Sequence, residues 1–349
     1  MPASPDSVTL EYRLTRLWQR RSFCAWLLWP LSLLFGILTA FRRALYRANL
    51  LASYRLPVPV IVVGNVVVGG TGKTPLVIWL VDALRRAGYV PGVISRGYGS
   101  RAARDGMVEV TSSSRAEQVG DEPLLIALRA GCPVMVGRDR VAAGRALLAA
   151  HPEVDVIVSD DGLQHYRLQR SVEIILFDER GGGNGWLLPA GPLRESMARN
   201  GDVTVLNGAR IPPGLPTDCV VMQVGGSYAE ALSDCSRRIE LANLKGRISA
   251  IAGIGNPERF FTMLRNFGLA IETISLPDHY TFSAQSFADI DADVILMTEK
   301  DAVKCVDFDT IKNDPRMWVV PVTACIDTAL FARVNNKLIV EKLRGYPTA

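Results

Sequence analysis

Residues 60–74 read VIVVGNVVVGGTGKT. A β-rich apolar run, VPVIVVG (58–64), feeds a glycine-rich turn, and the apolar-periodic segment PLVIWLVDALRRAG (75–88) follows. A phosphate-binding loop needs that order: glycines let backbone N–H groups turn onto phosphate oxygens, and the next helix adds the positive end of its dipole. Lys73 is placed to reach the β- and γ-phosphates and the Thr74 hydroxyl to sit on Mg²⁺. The candidate ATP contacts are Val67, Val68, Gly69, Gly70, Thr71, Gly72, Lys73 and Thr74. Val67 is a departure, because the general pattern has glycine there.

Outward from this loop, short Val/Ile-rich runs alternate with helical stretches. Strands are expected at 58–64, 90–95, 132–137, 154–160, 172–178 and 203–207, with helices over 74–87 and 138–150. Such continuous apolar runs suit a parallel sheet covered on both faces. A second series, at 247–254, 270–276, 293–298 and 317–323, follows a Gly-, Pro- and Ser-rich stretch. The fold class expected is α/β: two α/β/α lobes with mostly parallel sheets, the first resembling P-loop NTPases, after a membrane-associated N-terminal helix. The boundaries expected are 1–55 for the anchoring segment, 56–207 for the P-loop lobe, 208–246 for a connector and 247–349 for the second lobe. A ligand cleft between the lobes is expected as well.

Charge is unevenly spread. Residues 1–55 hold eight arginines against Asp6 and Glu11, and the rest of the chain is −2 within a total of +4. Nucleic-acid binders spread basic charge over the folded domain. Here it brackets the uncharged run FCAWLLWPLSLLFGILTAF (23–41), which points to an anionic membrane surface and away from nucleic acid. A secretory signal, a single span and a buried core helix also fit this run. Pro30 and the arginines on both flanks favour a helix lying in the cytoplasmic leaflet. Six cysteines without a CxxC pair argue for reduced thiols on a cytosolic face, and three scattered histidines argue against a zinc site.

Further on, VDVIVSDDGLQH (154–165) runs a strand into Asp160 and Asp161. Carboxylates at a strand end suit hard Mg²⁺, which prefers oxygen ligands. The alternative is a simple turn. GIGN (253–256) lacks the third glycine of a dinucleotide fingerprint and reads as a tight turn.

GNVVVGGTGKTP (64–75), SRGYG (95–99), GDEP (120–123), GRDR (137–140), DDGLQH (160–165), LLPAGPLRE (187–195), PDHY (277–280) and TEKD (298–301) occur in this order. Together they closely resemble the tetraacyldisaccharide 4′-kinase family, the inner-membrane kinases of lipid A synthesis, from the N-terminal apolar helix to about residue 330. The residue at Val67 is variable in that family. The resemblance implies transfer of the ATP γ-phosphate to the 4′-hydroxyl of an anionic glycolipid, a tetraacylated disaccharide 1-phosphate, at the cytoplasmic face of the inner membrane. It implies that Asp121 accepts the sugar proton and that His279 orients it, with Lys73 beside the transferred group. Asp160 and Glu195 match magnesium ligands, joined by Thr74 and with Asp161 close by. Arg138 and Arg194 are candidates to neutralise phosphate, Tyr98 and Gln164 to line the cleft, and Lys300 and Asp301 to contact adenosine. A nucleotide-driven switch protein and a non-enzymatic membrane adaptor remain the competing classes.

Overall fold

The computed structural model describes residues 17–100 and 106–343. Arg13 and Arg16 of the N-terminal segment lie outside the described residues. In chain order the elements begin with α1 (Phe23–Arg47), β1 (Val60–Gly64), α2 (Lys73–Arg86), β2 (Pro91–Ser95) and β3 (Val108–Glu109). Next come α3 (Asp121–Ala130), β4 (Val134–Val136), α4 (Arg140–Ala150), β5 (Val156–Asp160), β6 (Val172–Asp178) and β7 (Val203–Asn207). Then follow β8 (Val220–Gly225), β9 (Tyr228–Ala231), β10 (Asp234–Glu240), β11 (Ile248–Ala252) and α5 (Pro257–Asn266). The series closes with β12 (Ile271–Ser275), β13 (Val294–Thr298), α6 (Glu299–Cys305), β14 (Met317–Val320) and α7 (Ala329–Leu343). The alternation expected from the Val/Ile runs is therefore present.

The chain forms two compact units. The first comprises residues 1–71, 161–222 and 326–349. Its strands run parallel in the order β8-β7-β6-β1, with Ile61 opposite Val172 and Gly64 opposite Ile175. Every residue of β1 is buried, as a strand covered on both faces requires, and α7 packs on β6 and β7.

Helix α1 belongs to this unit but is hardly enclosed by it. Only Ala25 and Ser32 are buried, while Phe23, Leu27, Leu31, Leu34, Ile37 and Phe41 are exposed. That excludes the buried-core reading of 23–41. One edge of α1 docks on the segment 184–190. Ser32 Oγ donates to Leu187 O at 2.5 Å and accepts from Ala190 N at 3.0 Å. The Trp26 and Trp186 rings meet edge-on at 4.8 Å, and Trp18 Nε1 donates to Pro189 O at 2.9 Å.

The second unit comprises residues 72–160 and 223–325. It holds the parallel strands β5-β2-β4, edged by antiparallel β3. Helices α2 and α4 pack on these strands, and α3 packs on α2. It also holds a six-stranded sheet, β10-β9-β14-β13-β11-β12, parallel except for β9 and β10. Ala250, Phe261, Leu264 and Leu296 centre one of this sheet's cores, and Ile295, Met297 and Cys305 the other.

The stretch 208–246, expected as a connector, instead carries β8, β9 and β10. Its glycines and prolines sit in the turns, and Val220-Val221-Met222-Gln223 alternates between buried and exposed as a half-covered strand does. Composition averaged over the stretch hid that period.

Asp301 is a fixture of the second sheet. It is fully buried, accepts from Gly253 N at 2.9 Å and Thr298 Oγ1 at 2.7 Å, and pairs with Lys304 at 2.8 Å. Asp301→Ala strands two donors and a cation, so urea unfolding should show a loss of about 3 kcal/mol or more. An unchanged midpoint would mean these bonds carry no stability.

Candidate active site

The glycine-rich loop begins where β1 ends. Gly69 (φ 104°) and Gly72 (φ 98°) occupy backbone conformations that a side chain disfavours. A Cβ at Gly69 would come within 3.2 Å of Arg180 Nη1. Three side chains hold the loop carbonyls. Asn65 Nδ2 donates to Gly69 O at 3.3 Å, Arg180 Nη2 to Gly70 O at 3.2 Å, and Asn207 Nδ2 to Thr71 O at 2.8 Å. These residues follow or end β1, β6 and β7, and Asp178 at the end of β6 holds Arg180 at 2.6 Å. With the carbonyls engaged outward, the loop amides are left for an anion. Lys73 and Thr74 open α2, whose N-terminal cap is Gly72.

Val66–Val68 pair with the segment that carries Arg194. Val68 N donates to Pro192 O at 2.9 Å, and Arg194 N to Val66 O at 2.7 Å. Arg194 Nη1 holds Asp161 at 3.2 Å, and Gln164 Nε2 donates to Asn65 O at 3.3 Å. Asp161 lies at φ 47°, a conformation its short polar side chain tolerates better than most.

In the second unit, β5 ends on Asp160, which is buried and accepts from Ser95 Oγ at 3.0 Å. Arg140 is also buried and donates to Asp160 O at 3.3 Å. Of the GRDR motif, then, Arg140 reaches this region. Asp139 caps α4 through Val141 N at 2.9 Å, and Arg138 is exposed.

Asp121 and His279, 158 residues apart in sequence, meet: His279 Nδ1 lies 2.9 Å from Asp121 Oδ2. Asp121 opens α3 and its Oδ1 accepts from Glu122 N at 2.9 Å. His279, like Asp161, is a non-glycine residue at positive φ (57°). Strain of this kind collects at functional sites. Tyr98, two-thirds exposed, lays its ring 5.3 Å from the imidazole.

Lys300 closes the group, with Nζ 3.0 Å from Glu122 and from Asp278 and 4.0 Å from Asp121. Lys300 thus braces the Asp121–His279 pair, while Asp301, expected beside it at the adenosine, is fully buried and holds the sheet. Burial pushes the Asp121 carboxyl up, but the His279 hydrogen bond and the Lys300 charge together bring it below its ordinary value. Burial pulls His279 down, yet the bond to Asp121 and the nearby carboxylates leave its pKa raised.

Glu195 sits elsewhere in the first unit. Its Oε2 accepts from Tyr166 OH at 2.7 Å and pairs with Arg199 at 2.5 Å, while its Oε1 is buried with no hydrogen-bond partner among the described residues. Asn65, Arg180, Asn207 and Arg140 escaped the sequence reading. Asn65 directly follows the strand and was the one legible candidate among them.

A glycine loop at a parallel-strand end, opening a helix with Lys-Thr, has the form of a nucleotide phosphate site, and a buried carboxylate hydrogen-bonded to an imidazole can accept a proton. These are the parts of a phosphoryl-transfer enzyme. Comparison with known proteins narrows the class. Residues 24–339 match the family model described as Tetraacyldisaccharide-1-P 4′-kinase, and the chain belongs to that family. It is 60% identical over 343 residues to a tetraacyldisaccharide 4′-kinase of Janthinobacterium sp. (strain Marseille), covering 96% of this chain and 97% of that one. It is 55% identical to that of Herminiimonas arsenicoxydans, over all of both chains. Its fold matches the crystal structure of LpxK from Aquifex aeolicus, an "apo" form in complex with ATP, with a TM-score of 0.73 and 28% identity, over 91% of this chain and 99% of that one.

The raised His279 pKa gives a test. By NMR its imidazole should titrate above the ordinary value of about 6.5. In Asp121→Asn the midpoint should fall below that of the wild type, because burial and the Lys300 charge then act without the carboxylate. An unmoved midpoint would show that the pair is not coupled.

Proposed function

We infer that this chain is an ATP-dependent kinase that transfers the γ-phosphate to the 4′-hydroxyl of a tetraacyldisaccharide 1-phosphate in lipid A biosynthesis. The loop whose carbonyls are tied by Asn65, Arg180 and Asn207 carries the reading structurally, and the family match supplies the acceptor.

The residues divide the work. The amides of 69–74 and Lys73 hold the β- and γ-phosphates and offset the charge that develops on them. The Asp121–His279 pair accepts the proton of the sugar hydroxyl, a poor nucleophile near neutral pH without such help. A carboxylate held ionised beside an imidazole stabilises the charge that arrives there. Lys300 keeps that carboxylate ionised and aligned. Arg194 fixes Asp161, and Tyr98 offers an exposed face beside His279 for a sugar ring.

Thr74, Asp160 and Asp161 are the candidate magnesium ligands, all hard oxygens; Glu195, expected with them, is engaged by Tyr166 and Arg199. When bound, the ion would offset the negative charge of the ATP phosphates. Arg138 remains a candidate phosphate contact because it is exposed on the loop before α4. The apolar side chains of α1 lie in the acyl boundary of the cytoplasmic leaflet, where ATP is available, and keep the enzyme beside its lipid.

Incubation with γ-labelled ATP and a tetraacyldisaccharide 1-phosphate tests this. Label should appear in the lipid; label only in free phosphate would mean a nucleotide switch, and no turnover a passive adaptor. Lys73→Ala should abolish transfer. Asp121→Ala and His279→Ala should each lower kcat about a hundredfold or more, with little further loss in the double variant.

A further inference from the structure

A cavity of about 510 Å³ opens at the C-terminal end of α1. Its lining includes Arg43, Arg47, Tyr46, Tyr166, Arg170 and Arg199. Two carboxylates stand against these four arginines. Glu173 binds both Arg170 (2.9 Å) and Arg199 (2.7 Å), and Glu195 binds Arg199 at 2.5 Å. Counted together, four cations and two anions leave a surplus of two positive charges.

That surplus belongs to α1. Arg43 reaches no nearer than 3.9 Å to Glu195, and Arg47 makes no ion pair among the described residues. They are four residues apart, so both project from one face of the helix. Arg170 and Arg199 are fixed by carboxylates and by backbone carbonyls or Tyr166 (Arg170 to His165 O at 2.7 Å, Arg199 to Tyr166 OH at 2.8 Å), and form a rigid wall. A doubly charged phosphate matches a site with a fixed wall and two uncommitted arginines.

Depth points the same way. The last large apolar side chain exposed on the helix is Phe41, and Arg43 and Arg47 follow it within two turns. If Phe23–Phe41 lie among acyl chains, as proposed above, the cavity mouth sits at headgroup level. Its volume accommodates a phosphate together with the sugar or glycerol that bears it.

We propose that this arginine-lined cavity is a binding subsite for a phosphate group carried by a membrane lipid. Two sources present that chemistry: the 1-phosphate of the disaccharide substrate, which the enzyme does not transform, and a bilayer phospholipid. The subsite rests on the placement of α1 at the membrane, and its first source also on the kinase reading.

The test uses the full chain with Arg43→Gln, Arg47→Gln and the double variant. Arg42→Gln is the control, because Arg42 lies over the Tyr46 ring and does not line the cavity. All are surface changes on a helix, and circular dichroism checks that the fold is kept. In detergent micelles free of phospholipid, a substrate-phosphate site predicts a KM for the disaccharide raised about tenfold or more in the double variant, with kcat little changed. A phospholipid site predicts an unchanged KM in micelles. It also predicts weaker flotation of the double variant with phosphatidylglycerol vesicles and unaltered flotation with phosphatidylcholine vesicles. Either result supports the subsite, and Arg42→Gln should behave as wild type in both. Wild-type behaviour of the double variant in both assays, or an equal loss from Arg42→Gln, overturns it. The vesicle assay needs no turnover, so it judges the cavity even if no label reaches the lipid.

Discussion

Everything in the glycine-rich loop depends on which way three carbonyls point. A loop of consecutive peptides can present N–H or C=O groups to a ligand, and phosphate tolerates only the first. In this chain the carbonyls of Gly69, Gly70 and Thr71 are each engaged by a side chain at the end of a different parallel strand. The strands are rigid because both faces are covered, so the donors are fixed before nucleotide arrives. Glycine at 69 and 72 then follows as a consequence: the backbone needs positive φ there, and Arg180 lies where a Cβ would crowd it. Val67 needs no such freedom, since it is buried and bridges to Leu193 in an antiparallel pairing. That is the physical reason a valine is tolerated where the general motif has glycine.

The same pairing ties helix α1 to the glycine-rich loop. Residues 187–194 touch α1 at one end, through Ser32 and Leu187, and the start of the loop at the other, through Val66 and Val68. A helix with little of its surface buried gains little from folding onto its own chain, and the proposed function gives its exposed apolar side chains a lipid environment instead. The LLPAGPLRE motif is thus a splice between helix α1 and the loop, and Arg194 within it also holds Asp161.

How much of this was legible in the sequence follows physical lines. Runs such as VIVVG and VEIILFD announce buried parallel strands because no residue in them tolerates water, and the glycine loop with Lys73-Thr74 has only one common structural use. The strands in 208–246 were hidden because they are short and their turns dominate the composition. Long-range partners were out of reach for residue-level reasoning. Nothing in GRDR marks Arg140 as buried and Arg138 as exposed, and nothing in TEKD says that Lys300 meets Glu122 and Asp278. Asp121 and His279 were found through resemblance; their own neighbours in sequence carry no sign that they touch. The backbone strain at Asp161 and His279 left no trace either, since both residue types occur in ordinary turns.

The outward tie on the loop carbonyls is open to a direct measurement. Calorimetric titration of ATP into Asn207→Leu, which loses the donor to Thr71 O, should show affinity reduced by about tenfold. The comparison is with wild-type protein, at matched circular dichroism and with Lys73 intact. Unchanged affinity in the folded variant would contradict the claim that tied carbonyls prepare the loop for phosphate.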